Sequence, residues 1–272
     1  MEDKLITLDE AARIVKPGDT LALGGVTLYR RPVAFVRALL ASEAPPDDLT
    51  LLCFTASYES DLLVGAGVVS RVRTCYFGME IFGLAPMFSQ AASRGAIKIV
   101  EETEASLAFG IRAALADVSF MPSKAWLGTD LPKLRPDVKI IEDPYNPGQQ
   151  LVAFPALTWD VAVIHALQAD RAGNALLNGN LGVDVELALG GKHVIVTAEE
   201  IVEGFDGRVH VPGAVVDAVV HAPRGAWPTS CYPLYPIAGG ELLRYIDACN
   251  SDRFGEYLQG LLAEGVSTPA DG

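Results

Sequence analysis

The hydrophobic positions of this chain fall in short bursts divided by glycine, proline and charged residues, and two spacings alternate among them. Thr7 followed three residues later by Glu10 forms a capping box, whose hydroxyl and carboxylate satisfy orphan amides, and predicts a helix through Val15. Pro17-Gly18-Asp19 turns the chain, residues 20–23 are an apolar strand ending on Gly24-Gly25, and Pro32 suits the first turn of a helix over 33–40. Residues 49–55 are apolar and β-prone, as expected of a strand buried on both faces of a helix-covered parallel sheet. Further strands are predicted at 72–77, 97–101, 139–141, 161–165, 193–197 and 215–221, with helices at 105–115, 199–202, 241–249 and 254–262. The helix at 199–202 rests on a second box, Thr197 with Glu200. Strands alternating with helices at this spacing predict an α/β fold with an open, mostly parallel sheet and helices on both faces. Without repeats or a linker, residues 1–265 read as one domain and 266–272 as a tail.

Composition narrows the function classes. Half of the 272 residues are hydrophobic, which excludes an acidic disordered chain, and the net charge of −13 lacks the basic surplus that a duplex-binding surface needs. No nucleic-acid partner is expected. No apolar run approaches the ~20 residues that span a bilayer, so no membrane association is expected either. Cys53, Cys75, Cys231 and Cys249 show neither a paired motif nor dense spacing, read as free thiols, and point with the acidic N-terminus to the cytoplasm. The charge is uneven: residues 1–136 carry 14 basic and 16 acidic groups, a balance of −2, which leaves −11 for residues 137–272. An anionic ligand is therefore sought in the first half.

Several familiar chemistries are missing. Gly65-Ala66-Gly67 is followed by Ser70 where a dinucleotide fingerprint needs its third glycine, Gly190-Gly191-Lys192 lacks the upstream glycine of a phosphate loop, and there is no Gly-x-Ser-x-Gly elbow. His165, His193, His210 and His221 are not at metal-ligand spacing, and no metal is expected, although His165 lies at a strand end where open-sheet sites form. The positive signals are three. Gly24-Gly25-Val26-Thr27-Leu28-Tyr29-Arg30-Arg31 places two glycines and two cations after a buried strand and before a helix, which suits an anion or is a sharp turn with solvated arginines. Glu101-Glu102-Thr103-Glu104 places carboxylates at a strand end, as a general base or as acids at a helix N-terminus. Asp170-Arg171-Ala172-Gly173-Asn174 suits a tight turn.

These pieces, in this order, resemble the α (A) subunit of class I CoA-transferases of the glutaconate and 3-oxoacid type. The resemblance runs from Leu8-Asp9-Glu10-Ala11 through the Gly-Gly loop, Tyr76-Phe77-Gly78-Met79-Glu80 with Gly83-Leu84-Ala85-Pro86, and Phe120-Met121-Pro122 with Leu127-Gly128-Thr129-Asp130-Leu131. It continues through Asp170–Asn174, Val196-Thr197-Ala198-Glu199-Glu200 and Gly225-Ala226-Trp227-Pro228-Thr229-Ser230. Val26, Lys124 and Trp227 depart from the Phe, Arg and His frequent there.

The resemblance implies a Rossmann-like sheet, coenzyme A as substrate with no tightly bound cofactor, and a β (B) subunit in an α2β2 assembly that shares the site. The family's glutamate nucleophile, which carries the acyl group and then CoA, belongs to the β chain. This chain would then shape the acyl pocket, with Gly24 and Gly25 supplying backbone donors to a developing oxyanion and Val26, Thr27 and Glu80 facing the substrate. Arg30, Arg31, Arg112 and Lys124 are the cations available to a short carboxylic acid. The implied function is transfer of CoA between such acids. Alternatives are a ring-cleaving CoA-ester hydrolase or a decarboxylase of the same family, for which Glu101 is the candidate carboxylate, and, further off, a non-catalytic sugar-phosphate or effector-binding module.

Overall fold

A computed structural model describes residues 3–264. Eight strands lie side by side, every neighbouring pair parallel, in the order Leu5–Ile6, Ala218–His221, His193–Val202, Val161–Asp170, Thr20–Leu23, Leu49–Leu52, Val69–Thr74 and Lys98–Glu101. A ninth, Ala175–Leu176, pairs antiparallel with the far end of Val161–Asp170. The strands are continuously apolar because each feeds two cores. Leu21 and Leu23 enter one cluster and Ala22 the opposite one, and Val161 and Val163 are likewise opposed to Ala162 and Ile164.

The first cluster is closed by Leu8–Ala12, Val33–Ala41, Tyr58–Gly65, Gly239–Asn250 and Phe254–Ala263, and the second by Glu104–Leu115 and Asp184–Gly190. The fold is thus the expected open α/β sheet with helices on both faces. Beside it stands a small antiparallel sheet of Phe120–Ser123, Gln150–Pro155 and Lys139–Glu142, with a cluster of Trp126, Val138, Val152 and Phe154. Two strand pieces beyond the main sheet, Thr55–Ala56 and Tyr76–Phe77, pair with each other. They prolong the predicted runs 49–55 and 72–77 past a break.

The Thr7–Glu10 box forms as expected. Residues 199–202 do not form the predicted helix but continue the strand His193–Val202. The atoms of the supposed box are claimed across the sheet: Thr197 Oγ1 bonds His165 Nδ1 at 2.8 Å, and Glu200 accepts from Gln168 Nε2 at 2.6 Å. Residues 139–142 lie outside the main sheet, and Lys98–Glu101, which ends on Glu101, is its edge strand. The expected tail at 266–272 lies outside the described residues.

Candidate functional site

Strand order reverses between Thr20–Leu23 and Val161–Asp170. From the first, later strands are added toward Lys98–Glu101, and from the second, toward Ala218–His221. In open α/β sheets the crevice at the carboxyl ends of two such strands is where ligands bind. The Gly24–Arg31 loop begins there. Gly25 has φ +89°, and a Cβ on it would stand 2.7 Å from the carbonyl oxygens of Tyr29 and Arg30. A Cβ on Gly24 would stand 2.8 Å from Ile164 Cδ1 and 3.0 Å from Asp184 Oδ1. Only glycine allows this close return of the loop.

The loop's amides are spoken for inside the chain. Gly24 N donates to Val163 O at 3.0 Å, Gly25 N to Asp184 Oδ1 at 2.8 Å, Val26 N to Tyr29 O at 3.0 Å and Thr27 N to Thr55 Oγ1 at 2.7 Å. In this conformation Gly24 and Gly25 do not offer the oxyanion donors expected of them. The loop instead turns the half-exposed side chains of Val26 and Thr27 outward.

Arg30 and Arg31 also depart from expectation, because both are wholly buried. Arg30 Nη2 pairs with Asp184 Oδ2 at 2.9 Å, and its guanidinium donates to the carbonyls of His165 and Asn180. Arg31 Nη2 meets Glu59 Oε1 at 2.5 Å, and Nη1 donates to the carbonyls of Gly25 and Thr55, both at 2.8 Å. Burial raises the Asp184 carboxyl above the usual range, against the lowering pull of Arg30. These arginines pin the loop to the sheet and are not free for a substrate acid. Asp184 and Glu59, not singled out by the sequence, are buried partners of that loop, and nothing local in the sequence marked them.

The remaining candidates spread along the carboxyl ends. Glu80 is exposed, with φ +52°, beyond the short strand Tyr76–Phe77, which pairs with the Thr55–Ala56 strand that receives Thr27 N. Lys124 is exposed, two residues before Trp126, whose indole donates to Thr103 Oγ1 at 2.9 Å. Arg112 is exposed nine residues into the helix begun by Thr103, about 13 Å back along it, and is not brought to the crevice. Glu101 is exposed at the edge of the sheet, whereas Glu102 is buried. Glu102 Oε1 lies 3.0 Å from Arg73 Nη1 and 2.7 Å from Arg135 Nη1, and Ser106 Oγ donates to its other oxygen. Burial raises its pKa in spite of those partners. Glu104 alone of the run fills the first turn of the helix, with Thr103 as its cap.

His165 belongs to a buried brace. Its Nε2 lies 2.8 Å from Glu199 Oε1, Tyr235 Oη donates to the same oxygen, and the Arg224 amide donates to Glu199 Oε2 at 2.5 Å. Burial would raise the Glu199 pKa, but these donors outweigh it and hold the carboxyl below its usual range. Donor atoms of His165, Glu199 and Cys231 lie within 4.8 Å of one another. Both ring nitrogens and both carboxylate oxygens are already hydrogen-bonded, and burial pushes the Cys231 thiol up to about 12. The cluster therefore ties the segment 224–235 to the strands Val161–Asp170 and His193–Val202, the first of which runs on past the end expected at His165, and is poorly suited to hold a metal.

A sequence model described as "Coenzyme A transferase" matches residues 5–222. The chain belongs to the coenzyme A transferase family. This family member is 37% identical over 239 residues to the α (A) subunit of 3-oxoadipate CoA-transferase of Pseudomonas knackmussii, covering 85% of the chain and 83% of that protein. It is 34% identical to the α (A) subunit of glutaconate CoA-transferase of Acidaminococcus fermentans, covering 85% and 79%. It is also 32% identical to the cholesterol ring-cleaving hydrolase IpdA subunit of Rhodococcus jostii, covering 82% and 79%. The crystal structure of the Acidaminococcus glutaconate enzyme superposes with a TM-score of 0.86 at 31% identity, over 97% of this chain and 88% of that one. A variant of the decarboxylase AibA/AibB superposes with 0.89 at 30% identity, over 97% and 100%.

Proposed function

We propose that this coenzyme A transferase chain is an α-type subunit that moves CoA between short carboxylic acids and completes its site with a β-type partner. One observation carries the reading: the Gly24–Thr27 loop is fixed at the switch point, yet the buried carboxylates that anchor it and its surroundings are all engaged. Asp184 is tied to Arg30 and Gly25, Glu59 to Arg31, and Glu199 to His165 and Tyr235. With exposed Glu80 assigned to substrate contact, an acyl transfer that proceeds through a carboxylate takes it from another chain. That the transferase relatives are themselves one kind of subunit in a larger enzyme supports such a partner.

The face the partner would cover is apolar. Ile81 is 93% and Leu84 75% exposed after the strand Tyr76–Phe77, and Tyr232 and Leu234 are exposed in the segment that follows Ala218–His221. Phe82 stands 3.2 Å from where a Gly239 Cβ would lie, which joins the two segments, and Tyr232 O accepts from Tyr29 Oη at 3.1 Å, which joins them to the loop. Val26, Thr27, Glu80 and Lys124 are the residues of this chain assigned to the acyl pocket.

The test is co-expression with a β-type partner and an assay pairing acyl-CoA donors with acceptor acids. Ping-pong kinetics by the pair and none by the single chain are expected. A stable complex inert toward every short-chain donor and acceptor would overturn the reading. The hydrolase and decarboxylase likenesses support the neighbouring reading, CoA-ester hydrolysis or decarboxylation, for which Glu101 stands as the notional carboxylate of this chain. Full retention of such activity by Glu101→Ala would remove it.

A further inference from the structure

A cavity of about 640 Å3 opens between the edge of the main sheet and the segment 134–137, its charged lining being Arg71, Arg73, Lys98, Glu101, Arg135 and Asp137. A second cavity of about 280 Å3 shares Arg71, Arg73 and Asp137 and adds the side of Thr50. The cations converge because of the strand period. Val72 packs into one core, so Arg71 and Arg73 point to the opposite face, and parallel register sets Lys98 directly beside Arg71.

Like charges placed opposite each other on neighbouring strands repel. The acids nearby form no ion pair with Arg71 or Lys98, and Glu101, on the cavity lining, is among them. Glu102 is shared by Arg73 and Arg135, and Asp137 is held by Arg135 in two bonds of 2.8 and 2.7 Å. Arg71 and Lys98 have no ion pair among the described residues. Burial lowers the Arg73 pKa, with Arg135 and Arg71 adding to the strain on its charge against the pull of Glu102. In a chain whose net charge is −13, a walled cleft that leaves two cations without an ion pair and carries a positive balance is a local sink for anions.

From this juxtaposition we infer that the cleft between Arg71, Arg73 and Lys98 binds a phosphomonoester dianion. Two unpaired cations, Arg71 and Lys98, face the charge of about −1.5 to −2 on such a group, and guanidinium forks match its oxygens. Two sources share this chemistry: the nucleotide 3′-phosphate of a coenzyme A substrate, which rests on the function proposed above, and a free phosphate ligand, which does not.

Calorimetry on the full chain, alone and with its partner, tests this with inorganic phosphate, adenosine 3′,5′-bisphosphate, coenzyme A and dephospho-coenzyme A as probes. Arg71→Ala/Lys98→Ala removes two exposed cations that hold no other element in place, so it should fold as the wild type does. Binding of phosphate and bisphosphate by the wild type is expected, weakening with added salt and falling roughly tenfold or more in the double variant. If coenzyme A loses affinity in step and dephospho-coenzyme A does not, the substrate supplies the phosphate. If only the small probes lose affinity, the ligand is separate. Absence of binding by the wild type, or equal binding by both proteins, overturns the inference and reduces Lys98 to a guard on an edge strand. The readout needs no turnover, so an inactive complex that binds phosphate contradicts only the proposed function, and an active one that does not contradicts only the cleft.

Discussion

Arg30 and Asp184 show how a residue that reads as functional can be architectural. A guanidinium and a carboxylate, both without solvent, bond to each other and to the backbone of the loop they hold. Removing one partner leaves the other charge buried and unpaired, which costs about 3–5 kcal/mol. Asp184→Asn should therefore lower the urea midpoint strongly in the isolated chain. A variant with the stability of the wild type would show that Arg30 is solvated and free after all. Asp61 gives a different signal, since its carboxylate is buried among neutral donors only: Tyr245 Oη at 2.7 Å, Met87 N at 3.1 Å and Phe88 N at 2.6 Å. Burial pushes it from 3.8 up to about 6. The folded chain then keeps this proton to about pH 6 while the unfolded chain releases it near 3.8. Between those values the folded state binds more protons, so this group's contribution to stability falls as pH rises. Asp61→Asn should flatten that part of the curve. Parallel denaturation profiles for the two proteins from pH 4 to 6.5 would show that Asp61 titrates normally.

At the scale of elements, the strand Thr20–Leu23, the Gly-Gly turn and the helix Val33–Ala41 act as one device. Gly25→Ala combines a positive φ with two carbonyl contacts at 2.7 Å, so the turn must open. Strain of this kind costs roughly 1–3 kcal/mol. Because Val26 and Thr27 would be displaced, activity of the complex should fall by more than the loss of folded protein explains, measured as kcat per mole of folded complex. The strand His193–Val202 shows the limit of local reading. Thr197-x-x-Glu200 is a valid capping box by spacing, but its hydroxyl and carboxylate are taken by His165 and Gln168 on the next strand. Glu199, passed over as part of a helix, thereby became the hub of the brace with His165 and Tyr235. The sequence placed His165 at the end of a strand 161–165, but the strand runs on to Asp170 because it pairs with His193–Val202 along its length, and the carboxylate facing His165 was not visible.

For the whole molecule, the exposed apolar side chains after Tyr76–Phe77 and after Ala218–His221 predict association. Leu84→Asp and Leu234→Asp alter exposed side chains, so the fold and thermal midpoint of the single chain should hold. Affinity for the β-type partner should drop by roughly tenfold or more, as expected for apolar anchors at an interface. Analytical ultracentrifugation of the two chains mixed together would decide, and unchanged association would place the interface elsewhere. The charge division has acquired a location too. The nearly neutral first half carries both the loop and the cation cleft, while the loop's arginines are internally spent and the cleft's Arg71 and Lys98 are not.

The sequence by itself determined what short-range spacing can encode: the alternation of strands and helices, the Thr7–Glu10 cap, the apolar strand closed by two glycines, and motifs in an order that marks the family. Such features depend on residues a few positions apart, whose geometry is set by backbone periods and steric limits. The tertiary structure decided the rest. It buried Arg30 and Arg31 against Asp184 and Glu59, made Lys98–Glu101 an edge, exchanged exposed Glu101 for buried Glu102, and set Arg71 beside Lys98. Each of these outcomes depends on which strand lies next to which. That order is fixed by burying two faces of one sheet at once, a property of the assembled cores rather than of any local run of residues.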